Sequence, residues 1–155
     1  MSAPLSCAEV LSLLPHRRPF LFVDEILELN ETGARGRYRF REDEVFYPGH
    51  FPGNPITPGV ILIEAMGQIG VVAHGIYLYG LRHTVEEIQR HFTVFSDGEA
   101  EFFHMVRPGD EVFVTSEKVF FRQKKIRARV EMKLASGQLV ASATLSGIGV
   151  EKPHA

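Results

Sequence analysis

The most apolar part of the chain runs from residue 56 to residue 81, and few polar side chains interrupt it. Thr57 suits the N-cap of a helix, Pro58 suits its first turn, and Gly80 suits its end. The pattern therefore predicts a helix over 58–79. Because this helix is apolar nearly all round, we expect protein to surround it. Its small residues would let a sheet approach closely: Ala65, Gly67, Gly70, Ala73 and Gly75.

The same stretch is long enough to be compared with a membrane span, but its polar residues favour a buried helix. Glu64, Gln68 and His74 would lie in the hydrocarbon core of a bilayer, where polar and charged groups are costly. No basic cluster flanks the stretch on either side. We therefore predict a helix buried in protein and no membrane partner.

The pattern before the helix is that of a short helix and two strands. Ser6 and Glu9 fit a capping box for the first helix, which Pro15 ends. Residues 20–29 and 34–40 have strand character and are joined by a turn at 30–33. Residues 41–55 form a long loop, and long loops in compact domains are often functional.

The pattern after the helix is rich in strands. Residues 126–134 alternate most regularly, with apolar side chains on one face and charged side chains on the other. Turns are predicted at 107–110 and 135–138. The order of two strands, one buried helix and four or more strands predicts an α+β fold in which an antiparallel sheet wraps around the helix. The predicted strands of this half are 90–96, 100–105, 112–122, 126–134 and 139–148.

Composition narrows the class of protein. The chain has 155 residues, which suits one domain over 1–155, and its net charge is −2. Binding of nucleic acid normally shows as a basic excess, so we expect no nucleic-acid partner. Cys7 is the only cysteine, and a lone thiol fits a reducing compartment. Residues 1–5 lack the basic and long apolar regions of a secretory signal, so we expect a cytoplasmic protein.

The first candidate for chemistry is His50, which lies in a loop rich in proline and glycine. Such a loop is rigid and would hold the imidazole in one place. Histidine titrates near neutral pH and can act as a general base. A lone histidine is more often structural than catalytic, and that alternative stays open at this point.

The second candidate is Glu64, a carboxylate in the second turn of the apolar helix. Burial of a carboxylate is costly unless it is paired or protonated, so Glu64 is either an ion-paired structural residue or a general acid. Gln68 lies one turn further on and either orients the carboxyl group by a hydrogen bond or is a plain polar residue of the core. Gly59 lies in the first turn, where unpaired N–H groups stabilise a developing enolate oxygen, or it only relieves crowding beside Pro58.

The other histidines indicate no second centre. His16 is expected to line the same site as His50. The rest show none of the spacings of metal ligands, so we predict no metal and no cofactor: His74, His83, His91, His104 and His154. A basic cluster around a predicted hairpin is either a solvated strand face or a docking surface for an acidic carrier protein: Arg122, Lys124, Lys125, Arg127 and Arg129.

Three motifs together point to one family. They are Pro15-His16-Arg17-Arg18-Pro19-Phe20-Leu21-Phe22-Val23-Asp24, Gly49-His50-Phe51-Pro52-Gly53-Asn54-Pro55, and Pro58-Gly59-Val60-Ile61-Leu62-Ile63-Glu64-Ala65 with Gln68. These residues resemble the β-hydroxyacyl-acyl carrier protein dehydratases of fatty-acid synthesis, of the FabZ/FabA type. Val106-Arg107-Pro108-Gly109-Asp110 fits the family's later turn, so the resemblance spans about residues 15–145. Glutamate at position 64, where the isomerising FabA branch carries aspartate, favours the FabZ-like branch.

The resemblance implies a hot-dog fold, in which the antiparallel sheet wraps around a long central helix. It implies dehydration of a 3-hydroxyacyl thioester on acyl carrier protein to the trans-2-enoyl thioester. His50 would take the α-proton, Glu64 would protonate the departing hydroxyl, and the Gly59 N–H would hold the thioester oxygen. Further substrate contacts would come from Gln68, Phe51, Pro58 and His16.

The resemblance also implies an assembly. It would be a homodimer, or a trimer of dimers, in which His50 of one subunit meets Glu64 of the other. The acyl chain, carried on phosphopantetheine, would lie in an apolar tunnel beside the helix.

Three departures from the family pattern bear on chain-length preference and carrier docking. Arg18 stands where an aromatic residue is usual, Gly67 stands where alanine is typical, and residues 99–105 are acidic where basic residues are common. Polyketide or polyene synthesis is therefore an alternative pathway. Two alternative functions are a hot-dog acyl thioesterase and a non-catalytic partner subunit of a dehydratase heterodimer. The motif that contains His50 and Glu64 favours the dehydratase over both.

Overall fold

The computed structural model describes residues 3–153. Met1, Ser2 and Ala155 lie outside this range, as does His154, which was among the histidines considered above. The helices are α1 (Cys7–Leu13), α2 (Gly59–Gly67), a π-helical segment (Gln68–Ala73), α3 (His74–Gly80) and α4 (Val85–Gln89). The strands are β1 (Glu25–Leu29), β2 (Gly33–Arg39), β3 (His91–Phe102), β4 (Glu111–Arg122), β5 (Lys125–Leu134) and β6 (Leu139–Glu151).

One continuous central helix from Gly59 to Gly80 contains α2, the π-helical segment and α3. Its 22 residues are long and apolar enough to cross a membrane, but 67% of its most apolar window is buried inside the protein. The prediction of a buried central helix is thus confirmed. The apolar side chains that could have faced a bilayer instead fill the core of the protein.

The start and the middle of the central helix differ from the prediction. Pro58, not Thr57, is the N-cap residue, and no side chain caps the helix. The Thr57 hydroxyl instead forms a hydrogen bond with the Tyr47 hydroxyl at 2.6 Å. Residues Gln68–Ala73 are π-helical rather than α-helical, which the spacing of apolar residues does not encode.

The six strands form one antiparallel sheet in the order β1-β2-β4-β5-β6-β3. The sheet covers the central helix, as expected, and the small residues of the helix allow this. A Cβ atom added to Gly70 would lie 2.9 Å from Val130 Cγ2 and 3.0 Å from Ser116 Cβ. The core between sheet and helix is lined by the helix-facing side chains of β4, β5 and β6.

Two strand predictions were wrong in their bounds. The first strand begins at Glu25 and not at residue 20, because the backbone of Phe20 and Phe22 is bound by the side chain of Gln68 instead of a strand. The stretches 90–96 and 100–105 belong largely to one strand, β3. Ser96 forms a bulge within this strand, since the register shifts between Phe95 and Asp97.

The short helices complete the covering of the core. In α1 the predicted capping box is present, because Ser6 Oγ accepts from the Glu9 N–H and Glu9 Oε1 accepts from the Ser6 N–H. Helix α4 was not predicted, although Thr84 and Glu87 form a second capping box with the same spacing. The Asn30–Gly33 turn and the turn that ends at Asp110 lie where they were predicted.

Candidate active site

The carboxylate of Glu64 lies in a small polar cluster on the first half of the central helix. Its Oε2 accepts a hydrogen bond from Gln68 Nε2 at 2.9 Å and lies 3.5 Å from His16 Nε2. The Glu64 side chain is 18% exposed. The carboxylate is therefore held in one orientation, largely shielded from water, and still accessible from outside.

Gln68 is fully buried and is the organising residue of this cluster. Its Oε1 accepts from the Phe22 N–H at 2.8 Å, and its Nε2 donates to the Phe20 carbonyl at 2.9 Å as well as to Glu64. The hydrogen bond expected from the i,i+4 spacing is present. Gln68 is thus both a polar residue of the core and the group that orients Glu64.

The loop that follows α1 places His16 beside Glu64. Burial lowers the pKa of His16; the charge of Glu64 acts in the opposite direction, and Arg17 adds to the lowering. His16 is therefore neutral at neutral pH. Its Nδ1 is buried and has no hydrogen-bond partner within residues 3–153. Its role in binding substrate stays a prediction.

The long loop that carries His50 is fixed by buried tyrosines. Tyr38 donates a hydrogen bond to Glu44 Oε2 at 2.5 Å, and the hydroxyls of Tyr47 and Thr57 are 2.6 Å apart. Burial raises the pKa of Tyr38 and of Tyr47 to about 12. Both phenols therefore stay protonated across the physiological pH range, so both can keep the hydrogen bonds that fix the loop.

Within this loop the His50 imidazole is held through one nitrogen. Its Nδ1 lies 2.8 Å from the Ile56 carbonyl oxygen. A carbonyl oxygen only accepts, so Nδ1 carries a hydrogen, and in the neutral form of the ring Nε2 has the lone pair. The ring stacks on Phe51 with centroids 4.1 Å apart, and Phe51 itself is 51% exposed. This arrangement leaves an imidazole nitrogen suited to accept a proton.

Gly59 is the first residue of the helix, and its environment differs from the one expected. A Cβ atom added there would lie 3.1 Å from Cζ of Phe102 on β3. The glycine therefore makes room for this ring rather than only relieving crowding beside Pro58. The first N–H groups of a helix have no acceptor within it, and no side chain caps this one. The N-terminal N–H groups can thus still receive a ligand oxygen.

The structure brings together only some of the predicted site residues within one chain. Glu64, Gln68 and His16 form one cluster, and His50 and Phe51 form another on the loop. Among residues 3–153, neither a hydrogen bond nor an ion pair joins His50 to Glu64. The two candidate catalytic groups therefore do not form a pair inside one chain.

Two aromatic residues beside the site were not identified from the sequence. Phe102 packs on Gly59, and Phe95 packs on Gly67, both from β3. The glycines of the apolar helix indicated that bulky side chains could lie against it. Which side chains these are could not be predicted, because the bulge changes which residues of β3 face the helix.

A wide depression of the surface does not coincide with the predicted site. It has a volume of about 730 Å³ and is lined by residues of all six strands or the turns beside them, many of them polar or charged, including Glu28, Thr115, Glu117 and Glu131. It contains neither His50 nor Glu64.

Groups that could bind a metal ion do not cluster in the described part of the chain. No three side chains of His, Cys, Asp or Glu within residues 3–153 lie close enough together for this. That the protein needs no metal or cofactor stays a prediction.

Comparison with known proteins identifies the family. The model of the FabA-like domain matches residues 14–144. The 3-hydroxyacyl-acyl-carrier-protein dehydratase FabZ of Caldicellulosiruptor saccharolyticus is 38% identical over 128 residues, which are 79% of this chain and 86% of the relative. The FabZ of Yersinia enterocolitica is 38% identical over 142 residues, 91% of this chain and 81% of the relative. The FabZ of Chloroflexus aggregans is 44% identical over 110 residues, 68% and 69% of the two chains.

Solved structures share the architecture at low sequence identity. A chain of the dehydratase heterocomplex ApeI:P from Xenorhabdus doucetiae superposes with a TM-score of 0.71 at 17% identity, over 98% of this chain and 94% of that one. A thioesterase from Haemophilus influenzae gives 0.66 at 13% identity, over 99% and 97%. At such identities the likeness concerns the fold alone, and it confirms the predicted hot-dog fold. With the matched domain and these relatives, the chain belongs to the FabA-like family.

Proposed function

We propose that this protein dehydrates a 3-hydroxyacyl thioester, carried on acyl carrier protein, to the trans-2-enoyl thioester. The observation that carries the proposal is the Glu64 carboxylate, which Gln68 and His16 hold at the open end of an apolar helix. The FabZ relatives, whose names state this reaction, support it. The enzyme is thus a hydro-lyase of fatty-acid synthesis or of a related polyketide or polyene pathway.

His50 acts as the base in this proposal. Its Nε2 has a free lone pair because Nδ1 donates to the Ile56 carbonyl. Nε2 takes the proton from the α-carbon of the substrate, and the electron pair of that C–H bond forms the new double bond. A general base of this kind contributes about 10²–10⁴-fold to the rate.

Glu64 and the helix N-terminus act on the other two reacting groups. Glu64 in its protonated form donates its proton to the β-hydroxyl, so the C–O bond breaks and water leaves. The backbone N–H of Gly59 donates to the thioester oxygen, on which negative charge develops as the α-proton is removed. The proton on His50 later returns to Glu64 through solvent, so atoms and charge balance over one turnover. Phe51, Pro58 and His16 border the substrate in this arrangement.

His50 and Glu64 come from different subunits of a homodimer, or of a trimer of such dimers. Two observations support this proposal. The two residues do not contact each other within one chain. In addition, β3 is an edge strand with apolar side chains that are about half exposed, and such edges are normally covered. The exposed apolar residues on and beside β3, and at the start of the helix, are Phe92, Val94, Phe95, Phe102, Phe103, Met105 and Val60.

The partner of the enzyme is an acyl carrier protein that carries the substrate on phosphopantetheine. Carrier proteins of this kind are acidic, so basic side chains near the site would steer the encounter. Reactions of this class take place in the cytoplasm, which we propose as the location.

The proposed reaction is tested by mass spectrometry of 3-hydroxyacyl-carrier substrates. We expect the native protein to convert them with loss of one water, while His50→Ala and Glu64→Gln proteins convert them about 10²–10⁴-fold more slowly. Release of the free acid instead of loss of water would identify a thioesterase. Near-native turnover by either variant would refute the role given to that residue.

The composite site is tested by mixing the two inactive variants. Co-expression of His50→Ala and Glu64→Gln subunits yields mixed dimers in which one of the two sites keeps both groups. We expect such dimers, purified by two different tags, to recover part of the native activity. A purified mixed dimer without recovery would place both groups of a site in one chain.

A further inference from the structure

The bulge in β3 changes which side chains of this strand face the central helix. Phe95 pairs with Gly147, Ser96 has no partner, and Asp97 pairs with Ser146. Gly147 faces the helix, because a Cβ atom added to it would lie 2.5 Å from Val71 Cγ1. Cross-strand partners share a face of the sheet, so Phe95 faces the helix too.

Beyond the bulge the helix-facing residues are Gly98, Ala100 and Phe102. Gly98 pairs with the core residue Leu145, and a Cβ atom added to it would lie 2.8 Å from Leu145 Cδ2. The acidic residues Asp97, Glu99 and Glu101 therefore point to the outer face. Along its helix-facing side β3 thus presents a large ring, two small residues and a second large ring.

Both rings lie on glycines of the helix. Phe102 packs on Gly59, as described above, and a Cβ atom added to Gly67 would lie 2.3 Å from Cζ of Phe95 and 2.8 Å from its Cε1. Gly59 and Gly67 are eight residues apart, which is about 12 Å along a helix. The two rings therefore close the two ends of a slot between the helix and β3.

The slot contains a groove of about 300 Å³, whose lining includes Phe95 but not Phe102. Its walls include Ile63 of the helix, Leu145 of β6 and the small residues Gly98 and Ala100. Ser96, Asp97, Glu99 and Phe95 complete the lining. Ile63 precedes Glu64 in the chain, so the groove begins one residue from the candidate acid along the helix, although the Glu64 side chain is not part of its lining.

The order of groups along the helix suits one occupant, the acyl chain of the substrate. The thioester oxygen belongs at Gly59 and the β-hydroxyl at Glu64, so the rest of the chain continues toward Gly67. This reading rests on the proposed function. It places the methyl end of the acyl chain against the Phe95 ring.

We propose that Phe95, packed on Gly67, closes the far end of the acyl groove and sets the longest acyl chain that the protein dehydrates efficiently. Within one subunit the side chain is 45% exposed and lies at the bulge. Its removal therefore leaves the core of the subunit closed. Each buried methylene contributes about fourfold to binding, so the end wall of the groove decides the specificity.

The test compares 3-hydroxyacyl-carrier substrates of four, eight, twelve and sixteen carbons with the native and the Phe95→Ala protein. We expect kcat/KM of the native protein to fall steeply at one chain length. In Phe95→Ala this limit moves to longer chains, with a gain of tenfold or more for the first substrate beyond it. Activity on the four-carbon substrate should stay within about threefold.

A reciprocal variant tests the contact itself. Gly67→Ala places a methyl group where the Phe95 ring now lies, so the ring must move into the groove and the limit should shorten. In the double variant Gly67→Ala, Phe95→Ala the ring is absent, and long chains should be accepted again. Phe113→Ala is the matched control, because it removes a partly exposed ring of β4 that lies outside both the groove and the proposed subunit contact. Its chain-length profile should equal that of the native protein.

The outcomes separate the two proposals. If the native protein dehydrates none of the four substrates, the proposed function is wrong and this inference falls with it. If the native protein dehydrates some of them but the folded Phe95→Ala protein keeps the native chain-length limit, the inference alone is wrong. Phe95→Leu replaces Phe95→Ala in this test if the alanine variant does not fold. An equal shift in Phe113→Ala would also overturn the inference.

Discussion

The two halves of the central helix are similarly apolar, but the titratable residue in each half has a different role. In the first half, Glu64 has two polar neighbours and is 18% exposed. In the second half, His74 is fully buried and its Nε2 donates to the Asn30 carbonyl at 2.8 Å. Both are titratable groups in an apolar helix. Only the first has access to the surface, so the second is a structural residue.

The difference shows that partners and access distinguish a reactive polar group from a core one. His74 Nδ1 has no hydrogen-bond partner among the described residues, and burial lowers the pKa of this histidine. It is therefore held neutral, and nothing in its surroundings can exchange a proton with a substrate. Four predictions would break or sharpen this comparison.

The largest effect is expected from the paired substitutions Glu64→Gln and His74→Gln. The first removes the acid and should lower kcat by about 10²–10⁴-fold with little change in the free energy of unfolding. The second keeps an N–H donor for Asn30 and should leave kcat within about threefold. Steady-state kinetics on the carrier-bound substrate measures both. Equal losses in the two variants would show that the halves do not differ in function.

An intermediate effect is expected for Gln68, which lies at the boundary of the two halves. Gln68→Leu removes the partners of the Phe22 N–H and of the Phe20 carbonyl. The Phe22 N–H is buried, and its loss of a partner costs about 1–3 kcal/mol. The substitution also frees the Glu64 carboxyl group to rotate, so kcat should fall as well. Urea unfolding and kinetics on the same sample measure the two losses. A fall in stability with unchanged kcat would show that the orientation of Glu64 does not depend on Gln68.

A smaller effect concerns pH. The pKa of His74 in the folded protein lies below its ordinary value of about 6.5, so the unfolded chain binds the proton more tightly. The contribution of neutral His74 to stability is therefore complete above pH 6.5 and is lost as the pH falls below it. Part of the decline in the free energy of unfolding between pH 8 and pH 5 should disappear in His74→Gln. His16 contributes in the same direction, so an unchanged decline would assign the effect to residues other than His74.

The smallest effect is expected from the basic cluster, which the structure shows to be partly neutralised. Lys125 and Arg127 form ion pairs with Asp97, and Arg129 forms one with Glu117. Among residues 3–153, Arg122 and Lys124 form no ion pair with a carboxylate. We expect Arg122→Glu with Lys124→Glu to weaken turnover of carrier-bound substrate a few-fold at low salt, because rim charges mainly set association rates. Turnover of a small thioester without the carrier should not change, and an equal loss on both substrates would assign the cluster to the fold.

The sequence predicted most of the fold because its signals are local. The apolar run, the capping box of Ser6 and the alternation over 126–134 each depend on near neighbours, and the structure confirms these elements. The start of β1 could not be predicted in the same way. Phe20 and Phe22 have strand-like character, but Gln68, more than forty residues away, binds their backbone.

The candidate site was predicted from residue types and from the family motif, and its contacts were only partly predictable. The Glu64–Gln68 hydrogen bond follows from i,i+4 spacing and is present. The place of His16 beside Glu64 depends on the path of a loop, and the rings on Gly59 and Gly67 depend on the phase of β3. Neither is encoded by periodicity, because each depends on how separate elements are arranged in space.

The unpaired Ser96 decides which face of β3 each residue beyond the bulge occupies. If the strand were regular and Ser96 paired with Ser146, every following residue would lie on the opposite face. Asp97, Glu99 and Glu101 would then be directed at the apolar helix, where unpaired carboxylates are costly. One residue without a partner thus keeps three charges on the outer face, and its deletion would leave them there, because Phe95 and Asp97 already pair with neighbouring residues of β6.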